Sequence, residues 1–280
     1  MIVRALIVIT LIVCGAFGAH AQNSVTEEAR TLDEVIAKYR ADRVMELVGE
    51  GELEASPLFM TLAERRIAFA HFEELYPTVL LPASNEPSEL PIELMDLGPI
   101  AFAANEVSHT LASLMQSQHL MGLVVIQDGK VRFEHYAPDH AREAPWVTFS
   151  VTKSVTSLLI GAAIQDGYIG SADDPIVKYL PRLEGSKYGQ SRIRDILQMA
   201  SGMEWNEDYE DPASDVAIAG AFNGMALTDY LYEKPRLASP GTRFNYNTAE
   251  SNLAGEVLRA AIGMSAGPYL SQKIWQPMGM

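Results

Sequence analysis

Ser150-Val151-Thr152-Lys153 is the stretch of this chain whose residue types and spacing carry chemistry. A serine hydroxyl is a poor nucleophile until a neighbour takes its proton. On a helix, residues three apart share a face, so Lys153 can bring its amine to the Ser150 oxygen. A helix N-terminus at this point also favours the negative charge that develops during attack on a carbonyl. The run after Ser150 is apolar, with Val151, Val155, Leu158, Leu159 and Ala162 on one continuous face. Such surroundings favour a neutral, proton-accepting amine over an ammonium. Spacing alone decides nothing. About one S-x-x-K match is expected by chance in a chain of this length, and an N-cap serine followed by a snorkelling lysine has the same letters.

Other chemistry-bearing patterns are weaker. Gly263-Met264-Ser265-Ala266-Gly267 has the letters of a nucleophile elbow, which needs a buried strand before it and an acid and a histidine after it. Here a helix-like run, Leu253 to Ile262, precedes it, and no His, Asp or Glu follows Ser265. A helix cap at Gly263 explains the glycines better. His71, His109, His119, His135 and His140 form no H-E-x-x-H or H-x-H pair, so no metal is expected. The acidic stretch Glu204 to Asp211 lacks the spacing of a calcium loop. It reads as a solvated loop at the site entrance, lined by Trp205 and Tyr209. No cofactor is implied.

The elements that must hold Ser150 and Lys153 can be read from periodicity. Residues 26 to 50 are helix-like, and a second helical pattern runs from about Leu58 to Tyr76, closing at Pro77. Leu81 to Pro99 carries Pro82, Pro87, Pro91 and Pro99 and reads as an irregular connection. A helix is expected over Ile100 to Gln118. Leu120 to Gln127 and Lys130 to Tyr136 flank Asp128-Gly129, a strong hairpin signal. Ser150 to Gln165 reads as a helix stopped by Gly167, and Ile193 to Ala200 as a shorter one ended by Ser201-Gly202. Helix, hairpin, then helices argues for an α+β fold with an antiparallel sheet rather than alternating βαβ units.

The first residues form a separate object. Arg4 is followed by an apolar stretch from Ala5 to Phe17, broken only by Thr10, then by Ala19-His20-Ala21. That order reads as a secretory signal over residues 1–21, too short to span a bilayer. Residues 22–99 then form a helical lead segment and linker, and 100–280 the main domain. Periplasmic or secreted localisation is expected, with no membrane span in the mature chain. Cleavage removes Cys14, the one cysteine, and with it any disulfide or cysteine-based metal site. Acidic residues outnumber basic ones 36 to 21, for a formal charge of −15, which disfavours a nucleic-acid partner. Oligomeric state cannot be read.

Trp146-Val147-Thr148-Phe149-Ser150-Val151-Thr152-Lys153-Ser154 resembles the active-site segment of serine β-lactamases, DD-peptidases and related esterases. Asp173-Asp174-Pro175 with Tyr179-Leu180-Pro181 is similar to the segment that follows in that superfamily, and Arg194 through Met203 to its next landmark. Pro240 through Tyr246 resembles the approach to its catalytic tyrosine, and Ile274 through Met280 a later helix end. Glu64-Arg65-Arg66 through Glu74-Leu75-Tyr76-Pro77-Thr78 looks more specifically like the 6-aminohexanoate-dimer hydrolase branch. The resemblance covers about residues 58 to 280, in order as well as in motif.

That resemblance implies a β-lactamase/DD-peptidase-like antiparallel sheet flanked by helices. It makes Tyr246 the second catalytic group, shuttling a proton between Ser150 and the leaving group. The position two after the tyrosine, usually Asn in class C β-lactamases, is Thr248, which leans toward simple esters or linear amides. Asn245 and Asn247 flank Tyr246 but should point elsewhere in an extended segment. Trp205, Tyr209, Asn247 and Thr248 are the candidate substrate-binding residues. No Lys/His-x-Gly strand follows Tyr246, so the resemblance implies a chain truncated at its C-terminus, lacking half of its oxyanion hole. The expected function is an exported serine hydrolase acting on a small ester, amide or peptide-like substrate. The alternatives are a β-lactamase or DD-peptidase, or a non-catalytic periplasmic binding or sensor protein on the same fold.

Overall fold

The computed structural model describes residues 30–49, 59–98, 100–104, 106–211, 213–219 and 224–280. The expected secretory signal, residues 1–21, lies outside the described residues. The contacts divide the chain into two units interleaved along the sequence.

The first unit contains Phe69–His71 and Ser88–Val147. Strands β1 (Ala101–Ala104) and β2 (Val107–Thr110) pair antiparallel, with Ala101 opposite Thr110. Helix α5 (Leu111–Ser117) follows at once. The pattern over Ile100 to Gln118 predicts one helix; the chain instead forms a strand pair and a short helix. Glu106 adopts a left-handed backbone, φ +65°, that turns the chain, and Thr110 starts the helix. Its hydroxyl accepts from Ser113 N at 3.2 Å while Thr110 N donates to Ser113 Oγ at 2.9 Å. This reciprocal cap fixes where helical geometry can begin. The Asp-Gly hairpin forms as its turn chemistry requires. Asp128 (φ +53°) and Gly129 (φ +73°) join β3 (Gly122–Gln127) to β4 (Lys130–Tyr136).

The second unit holds the other described residues, including both ends of the described chain. The first expected helix is two, α1 (Leu32–Tyr39) and α2 (Ala41–Gly49), broken where Arg40 turns extended. The second is also broken, into α3 (Leu62–Ala68) and α4 (Phe72–Leu75). The break falls at Phe69, whose carbonyl accepts from Val147 N at 2.9 Å. Glu64 ties α3 to α1, accepting from Lys38 Nζ at 2.8 Å and Tyr39 Oη at 3.0 Å. Burial alone would raise its carboxyl, but Lys38, Thr61 and Tyr39 donating to it hold it at about 2.

Beyond residue 148 this unit is built from helices: α6 (Val151–Gln165), α7 (Ile193–Leu197), α8 (Asp215–Ala219), α9 (Gly224–Tyr232), α10 (Thr248–Ile262) and α11 (Ala266–Leu270). Leu159, Ile160 and Ala163 of α6 share one core with Ile193 and Ile196 of α7 and with Leu253, Val257 and Leu258 of α10. Gly263, φ +67°, caps α10 by donating to Arg259 O at 3.0 Å, and Ser265 stands at the head of α11. The Gly263–Gly267 letters are therefore a link between helices and not a nucleophile elbow.

Candidate active site

Ser150 occupies the position before the first residue of α6, with φ −66° and ψ −12°. Its hydroxyl caps no backbone amide. Lys153 Nζ donates to it instead, at 3.0 Å. The chain enters this position through Phe149, whose φ of +39° lies in the left-handed region that costs a side-chain-bearing residue about 1–2 kcal/mol. Backbone bonds Val151 N to Thr148 O and Thr152 N to Phe149 O, each 3.0 Å, hold that turn. The Thr148 and Thr152 hydroxyls meet at 2.9 Å. The Phe72 ring of α4 lies edge-on to Phe149, with centroids 6.2 Å apart.

Tyr246 arrives from the segment before α10. Its ring centroid lies 5.5 Å from Lys153 Nζ, and the residue is 36% exposed. The hydroxyl, the amine and the phenol-bearing ring are thus brought together at the mouth of a fifteen-residue helix. The apolar face expected around Lys153 is only partly buried, because Leu158 is 61% and Val151 46% exposed. The immediate surroundings of the amine are the Ser150 hydroxyl and the Tyr246 ring.

The other candidates sit differently. Asn247 is 1% exposed and turned inward, capping α10 by accepting from Glu250 N at 3.2 Å and donating to Tyr188 Oη at 3.1 Å. Trp205, 7% exposed, packs in the core. It borders a recess of about 110 Å³ shared with Met203, Leu237, Arg243 and Asn245, smaller than an ordinary small-molecule site. Tyr209 is half-buried, and its phenol donates to Glu207 Oε1 at 2.5 Å. Burial, reinforced by the Glu207 charge, pushes that phenol well up, so it stays a donor. Thr248 donates to the same carboxylate twice, through its amide to Oε2 at 2.9 Å and through its hydroxyl to Oε1.

Glu207 is therefore a residue that sequence reading missed. It also accepts from the Trp205 indole. The acidic stretch is a loop exposed at Glu204, Asn206, Asp208 and Glu210, but it is tied down, since Asn206 N donates to Asp215 Oδ2 at 2.7 Å. The signal was present: Trp205, Glu207 and Tyr209 alternate, and in extended chain such residues share a face. Glu250 was missed as well. It lies buried in the first turn of α10, receives the Ser201 hydroxyl and the Tyr188 phenol, and leaves Oε2 without a hydrogen-bond partner. Burial raises its carboxyl to about 7 against the Ser201 and Tyr188 hydrogen bonds that oppose it.

A serine and lysine one helical turn apart, facing a tyrosine from a distant segment, on an α+β frame of this kind define a class. The chain belongs to the beta-lactamase family, a family of serine hydrolases, whose model matches residues 107–280. Among curated proteins it is 27% identical over 218 residues to the 6-aminohexanoate-dimer hydrolase of Paenarthrobacter ureafaciens, covering 75% of this chain and 54% of that protein. It is 24% identical over 187 residues to a beta-lactamase of Yersinia enterocolitica, covering 62% and 45%. A solved structure from Bacillus anthracis, provisionally named a 6-aminohexanoate-dimer hydrolase, shares the fold with a TM-score of 0.65 at 20% identity, over 79% of this chain and 61% of that one. A provisionally named beta-lactamase structure from Bacteroides dorei matches with a TM-score of 0.51 at 25% identity, over 61% and 50%. The chain spans about half the length of the curated relatives it matches.

Proposed function

We propose that this protein is an exported serine hydrolase that cleaves an ester or a linear amide through an acyl-enzyme on Ser150. The single observation that carries this reading is the position of Lys153 Nζ, 3.0 Å from Ser150 Oγ and 5.5 Å from the Tyr246 ring centroid. In the first step the Ser150 proton passes to the amine while Oγ bonds to the substrate carbonyl carbon. The Ser150 amide, at the entrance to α6, supplies one half of the oxyanion hole. The carbon–heteroatom bond then breaks, and the Lys153–Tyr246 pair returns the proton to the leaving alcohol or amine. Water attacks the acyl-enzyme, gives up one proton through the same pair, and releases a carboxylic acid and free Ser150. Export rests on the leader-like residues 1–21.

A β-lactam or DD-peptide substrate is the second reading. Against it stands Thr248, two positions after Tyr246, whose amide and hydroxyl are both committed to Glu207 and so are not offered to a ligand. The expected outcome is turnover of a p-nitrophenyl ester with no lasting acylation by penicillin, measured by absorbance and intact mass. Stoichiometric penicillin acylation without ester turnover would reverse the assignment.

A further inference from the structure

Tyr246 holds its place over Lys153 although its own side chain is partly exposed and its neighbours carry no regular structure before Thr248. Its backbone is instead bracketed. On one side Asn245 N donates to Met199 O at 2.9 Å, and Asn245 Nδ2 to Trp205 O at 3.1 Å. On the other, Thr248 N and Thr248 Oγ1 donate to the two oxygens of Glu207. The same two oxygens take the Trp205 indole and the Tyr209 phenol. One carboxylate thus closes the gap between residues 205–209 and the turn that carries Tyr246. A carboxylate has room for about four such acceptor bonds, so Glu207 is fully used as a bracket. Charge-assisted bonds of this kind are roughly twice as strong as neutral ones.

We infer that Glu207 is a positioning residue for the hydrolytic site, acting through Tyr246: it fixes the Asn245–Thr248 turn so that the phenol faces the Ser150–Lys153 pair. The inference rests on the reading of Ser150 as nucleophile. It assigns Glu207 no contact with the reacting atoms. Its effect on chemistry therefore vanishes when the phenol it positions is absent, and a merely structural residue would show no such dependence.

The test is a double-mutant cycle read on the second-order rate at which a fluorophosphonate probe labels the full chain. Glu207→Gln keeps the shape but loses the charge and one acceptor; labelling is expected to slow at least tenfold. In a Tyr246→Phe background the same substitution is expected to change the rate less than twofold. Thr248→Val, which deletes one of the bonds to Glu207, gives a smaller loss with the same dependence on Tyr246 and serves if Glu207→Gln fails to fold. Equal slowing in both backgrounds, or no slowing in either, overturns the inference while leaving the nucleophile intact. No labelling of the wild-type chain at all overturns the functional reading, and this inference falls with it.

Discussion

At the scale of single residues, the geometry at Ser150 depends on a neighbour in an unfavourable conformation. Phe149 holds φ +39° immediately before Ser150. A glycine accepts that backbone freely, whereas alanine keeps the strain and, like glycine, loses the ring contact with Phe72. Phe149→Gly is therefore expected to be more stable than Phe149→Ala by about 1 kcal/mol. Urea denaturation of the two variants checks the order, and an Ala variant as stable as the Gly variant would contradict the left-handed backbone. The contrast with Glu207 shows what can be read from residue types. The contact between Ser150 and Lys153 was legible because residues three apart share a helical face. Glu207 was hidden because an acidic run reads as solvated, and its partner Thr248 lies far along the sequence.

At the scale of elements, the site depends on segments that carry almost no regular structure but pass very close to one another. Gly202 has φ +76°, and a Cβ built there would lie 2.0 Å from Ala238 O and 2.7 Å from its carbonyl carbon. Its own carbonyl accepts from Leu237 N at 2.8 Å and Ala238 N at 3.0 Å. That contact anchors the stretch leading through Pro240 and Gly241 to Tyr246. Gly202→Ala combines left-handed strain with a backbone clash, so a loss of about 3 kcal/mol or more is expected, with Tyr246 displaced. Thermal melting measures the first and probe labelling the second. The long helix α6 and the β3–β4 hairpin were legible because each has its own stop or turn residue, Gly167 and Asp128-Gly129. The β1–β2 hairpin was not, because its turn residue Glu106 has no sequence signature for φ > 0, and short apolar runs do not separate helix from strand.

At the scale of the whole molecule, the helical unit buries a carboxyl that it leaves only half satisfied. Glu250 titrates at about 7 in the folded chain and near 4.3 once unfolded. Below the unfolded value both states carry the proton and folding bears no cost. As the pH rises toward about 7 the unfolded chain ionises first, so stability falls, and well above that it stays lower by about 3–4 kcal/mol. Glu250→Gln cannot titrate. Between about pH 4.5 and pH 8 it is expected to lose less stability than the wild type by roughly that amount, as urea midpoints at the two pH values would show. Parallel curves for both proteins would contradict the buried charge. The fold class was legible from the order of helix, hairpin and helices. The interleaving was not: the contacts join residues 30–49, 59–68 and 72–87 to the described residues from 148 onward, and links such as Ser84 N to Met280 O at 2.6 Å have no local signature.

In the proposed reaction Ser150 is the group that becomes acylated. Peptide mass spectrometry after incubation with a fluorophosphonate reads this without knowledge of the natural substrate. The predicted result is one adduct on Ser150, absent in Ser150→Ala and strongly slowed in Lys153→Met. An adduct that persists in Ser150→Ala, or a wild-type chain that takes up none, would contradict it.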